Sequence, residues 1–159
     1  MNGNAESYLR QRLVSHIRGG EAFSPIDYLI DQVPYPLTGI KPDDLPYSFY
    51  QLFYHIRVAQ RDILDYCRNE NYREPAWPED YWPANPAPED EQEWMELKSS
   101  YLNEREEFCV LLLDKNNDLF QPIASNPDHN LIRQAQLIIE HTAYHTGQLY
   151  AIYRLILNS

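Results

Sequence analysis

The chain has 159 residues, 43% of them apolar and 23% charged, the balance of one soluble globular domain spanning 1–159. Lys and Arg number 13 against 24 Asp and Glu, for a net charge of −11, which argues against nucleic acid and against anionic membrane surfaces as partners. No unbroken apolar run approaches the ~20 residues of a membrane span. No cationic start leads into an apolar stretch of the signal-peptide kind.

The two cysteines, Cys67 and Cys109, are isolated, with no CxxC spacing. They are expected as reduced, buried thiols of a cytoplasmic protein. The twelve prolines are clustered, and none lies between residues 1 and 24, 47 and 74, 89 and 121, or 128 and 159. Proline removes a helix donor and clashes with the preceding turn, so those four windows are where long helices can form.

A first helix is expected from about Glu6 to Arg18, with Tyr8, Leu9, Leu13, His16 and Ile17 as its apolar stripe and Gly19-Gly20 as its end. A shorter helical piece follows through Ile26, Leu29 and Ile30. Pro34, Pro36, Pro42 and Pro46 make the next stretch a loop. Ser48, with Gln51 three residues on, reads as a capping box that opens the second helix. Leu52, His55, Ala59, Ile63 and Tyr66 form one face of that helix, which fades near 68–71.

Residues 72–88 carry five prolines, with Tyr72, Trp77, Tyr81 and Trp82 among them. So many aromatics would be poor in a solvated tether, and a long ordered loop packed over the body is expected. Its tryptophans either cap the core or form a lid. The acidic turn Glu89-Asp90-Glu91 suits the positive end of a third helix, whose buried face is Trp94, Leu97, Tyr101, Leu102, Phe108, Leu111 and Leu112. The fourth helix runs from about Asn130 to Leu157 on the stripe Leu131, Ala135, Ile138, His145, Leu149, Ile152 and Ile156. No run alternates with period two, so the expected class is all-α, an antiparallel four-helix bundle with the long Pro/aromatic loop between its second and third helices.

His141 and His145 are four apart on one helix, so both side chains share a face. That spacing lets two imidazoles reach one metal at ~2.0–2.1 Å. His55 lies on the apolar face of the second helix. Three imidazoles in one interior are costly to bury unpaired, and a shared metal ion would relieve that cost. Hydrogen-bonded core histidines are the alternative. That alternative is preferred for His16, while His129, beside the Pro127 turn, is expected on the surface.

The segment Glu140-His141-Thr142-Ala143-Tyr144-His145-Thr146-Gly147-Gln148-Leu149 resembles the (D/E)HxAYHxGQL signature of the DinB/YfiT-like superfamily. The run from His55 to Asp65 is similar to that family's H-(I/L)-x-x-A-Q-x-D-(I/L)-L segment, and Trp77-Pro78-Glu79-Asp80-Tyr81-Trp82-Pro83 to an aromatic-proline loop of one branch. Glu140 stands where many members have Asp, and the chain stops at Asn158-Ser159 where a more basic end closed by Gly-Trp is usual. The resemblance implies an antiparallel four-helix bundle that binds one divalent ion, nickel or zinc, through His55, His141 and His145, often as a homodimer. It also implies chemistry on a small-molecule substrate, in some relatives with a low-molecular-weight thiol.

Three protein ligands leave a coordination position open, where water or a thiol can lose its proton near neutral pH. A metal-dependent hydrolase or thiol-dependent transferase follows, with a non-catalytic ligand-binding module or a structural dimer as alternatives. Gln148, three residues after His145, could bond a ligand ring or a bound water, and Asp62, two turns after His55, could support the ligands or act as a general base. Ordinary helix packing or a salt bridge is the competing reading of both. Tyr54 and Tyr144 adjoin the ligands and are expected to point elsewhere, and Glu140 is expected to meet solvent or a neighbouring helix.

Overall fold

A computed structural model describes residues 3–123 and 126–158. Five α-helices account for most of them: α1 (Gly3–Ile17), α2 (Ile26–Gln32), α3 (Phe49–Arg68), α4 (Glu91–Leu113) and α5 (Leu131–Leu157). Two single 3₁₀ turns, Tyr35–Leu37 and Glu79–Tyr81, lie between them. Among the described residues there is no β-strand, only an isolated bridge between Ile123 and Asn126. The class is therefore all-α. Among the described residues, no helix is long and apolar enough to cross a membrane.

The local signals act as their chemistry dictates. Ser48 Oγ accepts from the Gln51 amide at 3.1 Å while Gln51 Oε1 accepts from the Ser48 amide, closing the capping box of α3. Asp90 caps α4 and Asn130 caps α5 in the same way, each carboxyl or amide oxygen accepting the N–H three residues on. Gly20 ends the run after α1 with φ +67, a conformation that costs glycine little.

Two apolar clusters fill the interior. One joins Phe49, Phe53 and Ile56 of α3 with Trp94 and Tyr101 of α4 and Leu149 and Ile152 of α5. The other joins Leu13 and Ile17 of α1, Leu64 of α3, Phe108 and Leu112 of α4, and Leu131 and Ile138 of α5. The first halves of α3 and α4 thus share a core with the second half of α5, so α3 and α4 run in the same direction and α5 runs against both. Polar pairs agree, because Tyr50 meets Glu93, Arg57 meets Glu104 and Arg68 meets Glu107. This differs from the expected wholly antiparallel order. The reason is the connection 69–90, which is long enough to return the chain along the full length of α3 before α4 begins.

Other differences are local. The α1 stripe is Arg10, Leu13, Val14 and Ile17, whereas Tyr8 is exposed and His16 is only part-buried beside the Arg12 guanidinium. His129 is not simply exposed. Its Nδ1 lies 2.8 Å from Tyr66 Oη and its Nε2 3.2 Å from Asn126 Nδ2. Cys109 is buried and Cys67 part-buried, both free, and burial pushes their thiols up to about 11 and about 12.

Candidate metal centre

The capping box at Ser48 sets the phase of α3, and seven residues on that phase turns His55 into the interior between Leu52 and Ala59, where it is 4% exposed. Opposite it, α5 presents His141 and His145 one turn apart, part-buried, with ring centroids 4.4 Å from each other. The His55 ring lies 4.9 Å from His141 and 5.0 Å from His145. One ligating nitrogen from each ring can be chosen so that all three lie within 4.8 Å of one another.

The Nε2 atoms of His55 and His141 are 3.1 Å apart. Two nitrogens bound to one ion at ~2.1 Å each stand ~3.0–3.4 Å apart for bond angles of ~90–109°, so this spacing fits a shared ion. The three-histidine cluster could therefore hold a metal.

Electrostatics favour the same use. Burial holds all three imidazoles below their ordinary value of 6.5, His55 at about 4 and His141 at about 3. The charged form of His145 adds to the effect on both, and that of His55 to the effect on His141. All three are consequently neutral at pH 7, with lone pairs available to a cation. Neutral nitrogen donors suit zinc, nickel and related borderline ions.

The other nitrogens of the rings have their own surroundings. His145 Nδ1 donates to Gln148 Oε1 at 2.6 Å. An amide oxygen only accepts, so the proton sits on Nδ1 and Nε2 keeps its lone pair. His55 Nδ1 is buried and has no hydrogen-bond partner among the described residues.

Asp62 touches none of these rings. Its Oδ1 accepts from Tyr72 Oη at 2.6 Å and its Oδ2 from Tyr81 Oη at 2.7 Å, so the carboxylate ties the 69–90 segment to α3. Glu140 is exposed. Tyr54 leans on Tyr50, whereas Tyr144, exposed as it is, sets its ring 4.8 Å from that of His145.

The aromatic loop brings residues to the centre that sequence reasoning left unassigned. Trp82 lies flat on His55, with centroids 4.2 Å apart and planes 3° from parallel, and it stacks with Tyr47 as well. Trp77 meets the His55 ring edge-on at 6.0 Å while remaining largely exposed. The density of aromatics between prolines signalled packing, but nothing in the spacing named His55 as what they pack on.

The chain was compared with protein-family models, with curated proteins and with solved structures, and none of the three comparisons finds a match.

Proposed function

We propose that this chain is a DinB/YfiT-like four-helix-bundle protein that uses one divalent ion, nickel or zinc, held by His55, His141 and His145, for hydrolysis of a small molecule or its transfer to a low-molecular-weight thiol. The observation that carries this reading is the convergence of three neutral imidazoles, from two helices 86 positions apart at their nearest contact, on one point. The motif at 140–149 and the segment at 55–65 support the family.

When bound, the ion supplies a Lewis acid with a coordination position left open by its three ligands. The chain's own residues supply the rest. Gln148 fixes the His145 tautomer through its amide oxygen, and the Trp82 face shields His55 from water.

The non-catalytic reading, metal-dependent capture of a small ligand, is favoured by one feature. Asp62, the candidate general base, is already engaged by two phenols, and Gln148, the candidate partner of a bound water, by His145. Either reading requires one divalent ion per chain in protein purified without a histidine tag. Outer-shell losses weaken metal sites ~10–100-fold and loss of a ligand more, so His55→Ala, His141→Ala and His145→Ala should each weaken zinc binding by more than ~100-fold in a titration. Metal binding that is absent, or indifferent to all three variants, defeats the proposal. A screen of thiols with electrophiles, set beside equilibrium binding of the same compounds, separates catalysis from capture.

A further inference from the structure

We infer that Asp62 is a positioning residue for His55, acting through Tyr72 and Tyr81, and that the 69–90 segment is a strap whose attachment sets the metal affinity of the site. The inference deepens the metal-centre reading above and rests on it.

Asp62 stands seven residues, two turns, beyond His55 on α3. Each of its oxygens takes one phenol, Tyr72 on Oδ1 and Tyr81 on Oδ2. Burial first, and then the bond to Asp62, holds both phenols well above their ordinary value of 10, so they remain donors. With one phenol on each oxygen and no hydrogen bond to the three rings among the described residues, the carboxylate is an anchor.

What it anchors is the part of the chain that touches His55. The Tyr81 ring lies 6.4 Å from that of His55, and the next residue, Trp82, covers the ring face. The far side of the strap is fastened separately. Ser48 Oγ donates to the Pro86 carbonyl and Gln51 Nε2 to that of Pro83, and Gly39 lies so close to Ala87 that an added methyl would meet its Cβ at 2.3 Å. The stacked ring presents its Nε2 to His141, 3.1 Å from the Nε2 of that ring, which is the orientation a shared ion needs. Without the Asp62 anchor, the near end of the strap keeps only the helix-end bond from Asn69 N–H to the Asp65 carbonyl as a polar tie to α3 among the bonds described.

Cobalt(II) serves as the probe, added to the full metal-free chain and followed by titration and by its visible d–d spectrum. The variants are Asp62→Asn, the double variant Tyr72→Phe/Tyr81→Phe, and the two single Phe variants. Asp62→Asn and the double variant are each expected to weaken cobalt binding by ~10–100-fold and to change the d–d band, while each single Phe variant does so to a smaller degree.

A loss in Asp62→Asn that the double variant does not share overturns the inference, because the carboxylate would then act by its own charge. Unchanged affinity and spectrum in both also overturn it. Should circular dichroism show Asp62→Asn or the double variant unfolded, the single Phe variants decide, and an unchanged d–d band in both is the adverse result. A wild-type chain that takes up no cobalt fails the metal-centre reading itself, whereas normal uptake by wild type and by every variant fails only the strap.

Discussion

His55, buried to 4% exposure among aromatic rings, titrates near 4, and His141 near 3, both displaced downward mainly by lost hydration. The unfolded chain has no such burial, and its histidines take up protons as pH falls through 6.5. Between pH 6.5 and about 4, the unfolded state therefore binds protons that the folded site refuses. The metal-free protein should lose stability across that window, by about 1.4 kcal/mol per pH unit for each histidine protonated on unfolding, and should show no such loss between pH 7 and 8. Urea unfolding of the metal-free chain at pH 7.5, 6 and 5 measures this, and removing His55 and His141 together should flatten the slope. The identity of the three rings was legible in the sequence, through the four-residue spacing in α5 and the place of His55 on an apolar face. Their depressed titration was not, since it depends on what covers them, and Trp82 arrives from a segment with no helical period to read.

Arg10 shows the same limit at the level of the helix. Its neighbours Leu9 and Leu13 mark a stripe, and a guanidinium beside them reads as solvent-facing. In the structure it is 2% exposed. It donates to the carbonyls of Leu112 at 2.5 Å, Asp114 at 3.1 Å and Asn117 at 2.6 Å, at and just past the end of α4. The last carbonyls of a helix have no partner within it, and α1 supplies one from ~100 residues away in the chain. Glu6, one turn earlier on α1, holds the same guanidinium in a salt bridge. Hydrogen bonds from a charged donor contribute ~1.5–3 kcal/mol, so Arg10→Ala should lower stability by about 3 kcal/mol in urea unfolding. The loss should be accompanied by faster amide exchange at 110–117, while the zinc affinity of the folded protein stays unchanged. Equal protection at the end of α4 would show that the carbonyls find other partners. The capping box, by contrast, was readable from residue type alone, because its two bonds join Ser48 and Gln51, three positions apart.

Across the whole molecule, an ion at the candidate metal centre would tie α3 to α5, which together with α4 contribute to both apolar clusters. An ion bound only by the folded state should raise stability by mass action, ~2.7 kcal/mol at a free concentration one hundred times its dissociation constant. Thermal unfolding should therefore shift upward with added zinc and return on chelation, and His141→Ala should abolish the shift. A melting temperature indifferent to zinc in the wild-type protein would place the ion, if any, outside the folded core.

The helical class, the four long helical windows, the caps and the three histidines follow from local rules: where proline is absent, where apolar residues recur every three or four positions, and which side chain can reach an N–H three residues away. Those rules act over one or two turns, and the sequence states them openly. The parallel run of α3 and α4, the place of Arg10 at the end of α4, and the clasp of Asp62 on Tyr72 and Tyr81 all join residues that no local period relates. The chain brings them together because burying two apolar clusters packs the helices side by side, and what the long 69–90 connection then touches is settled by packing in three dimensions.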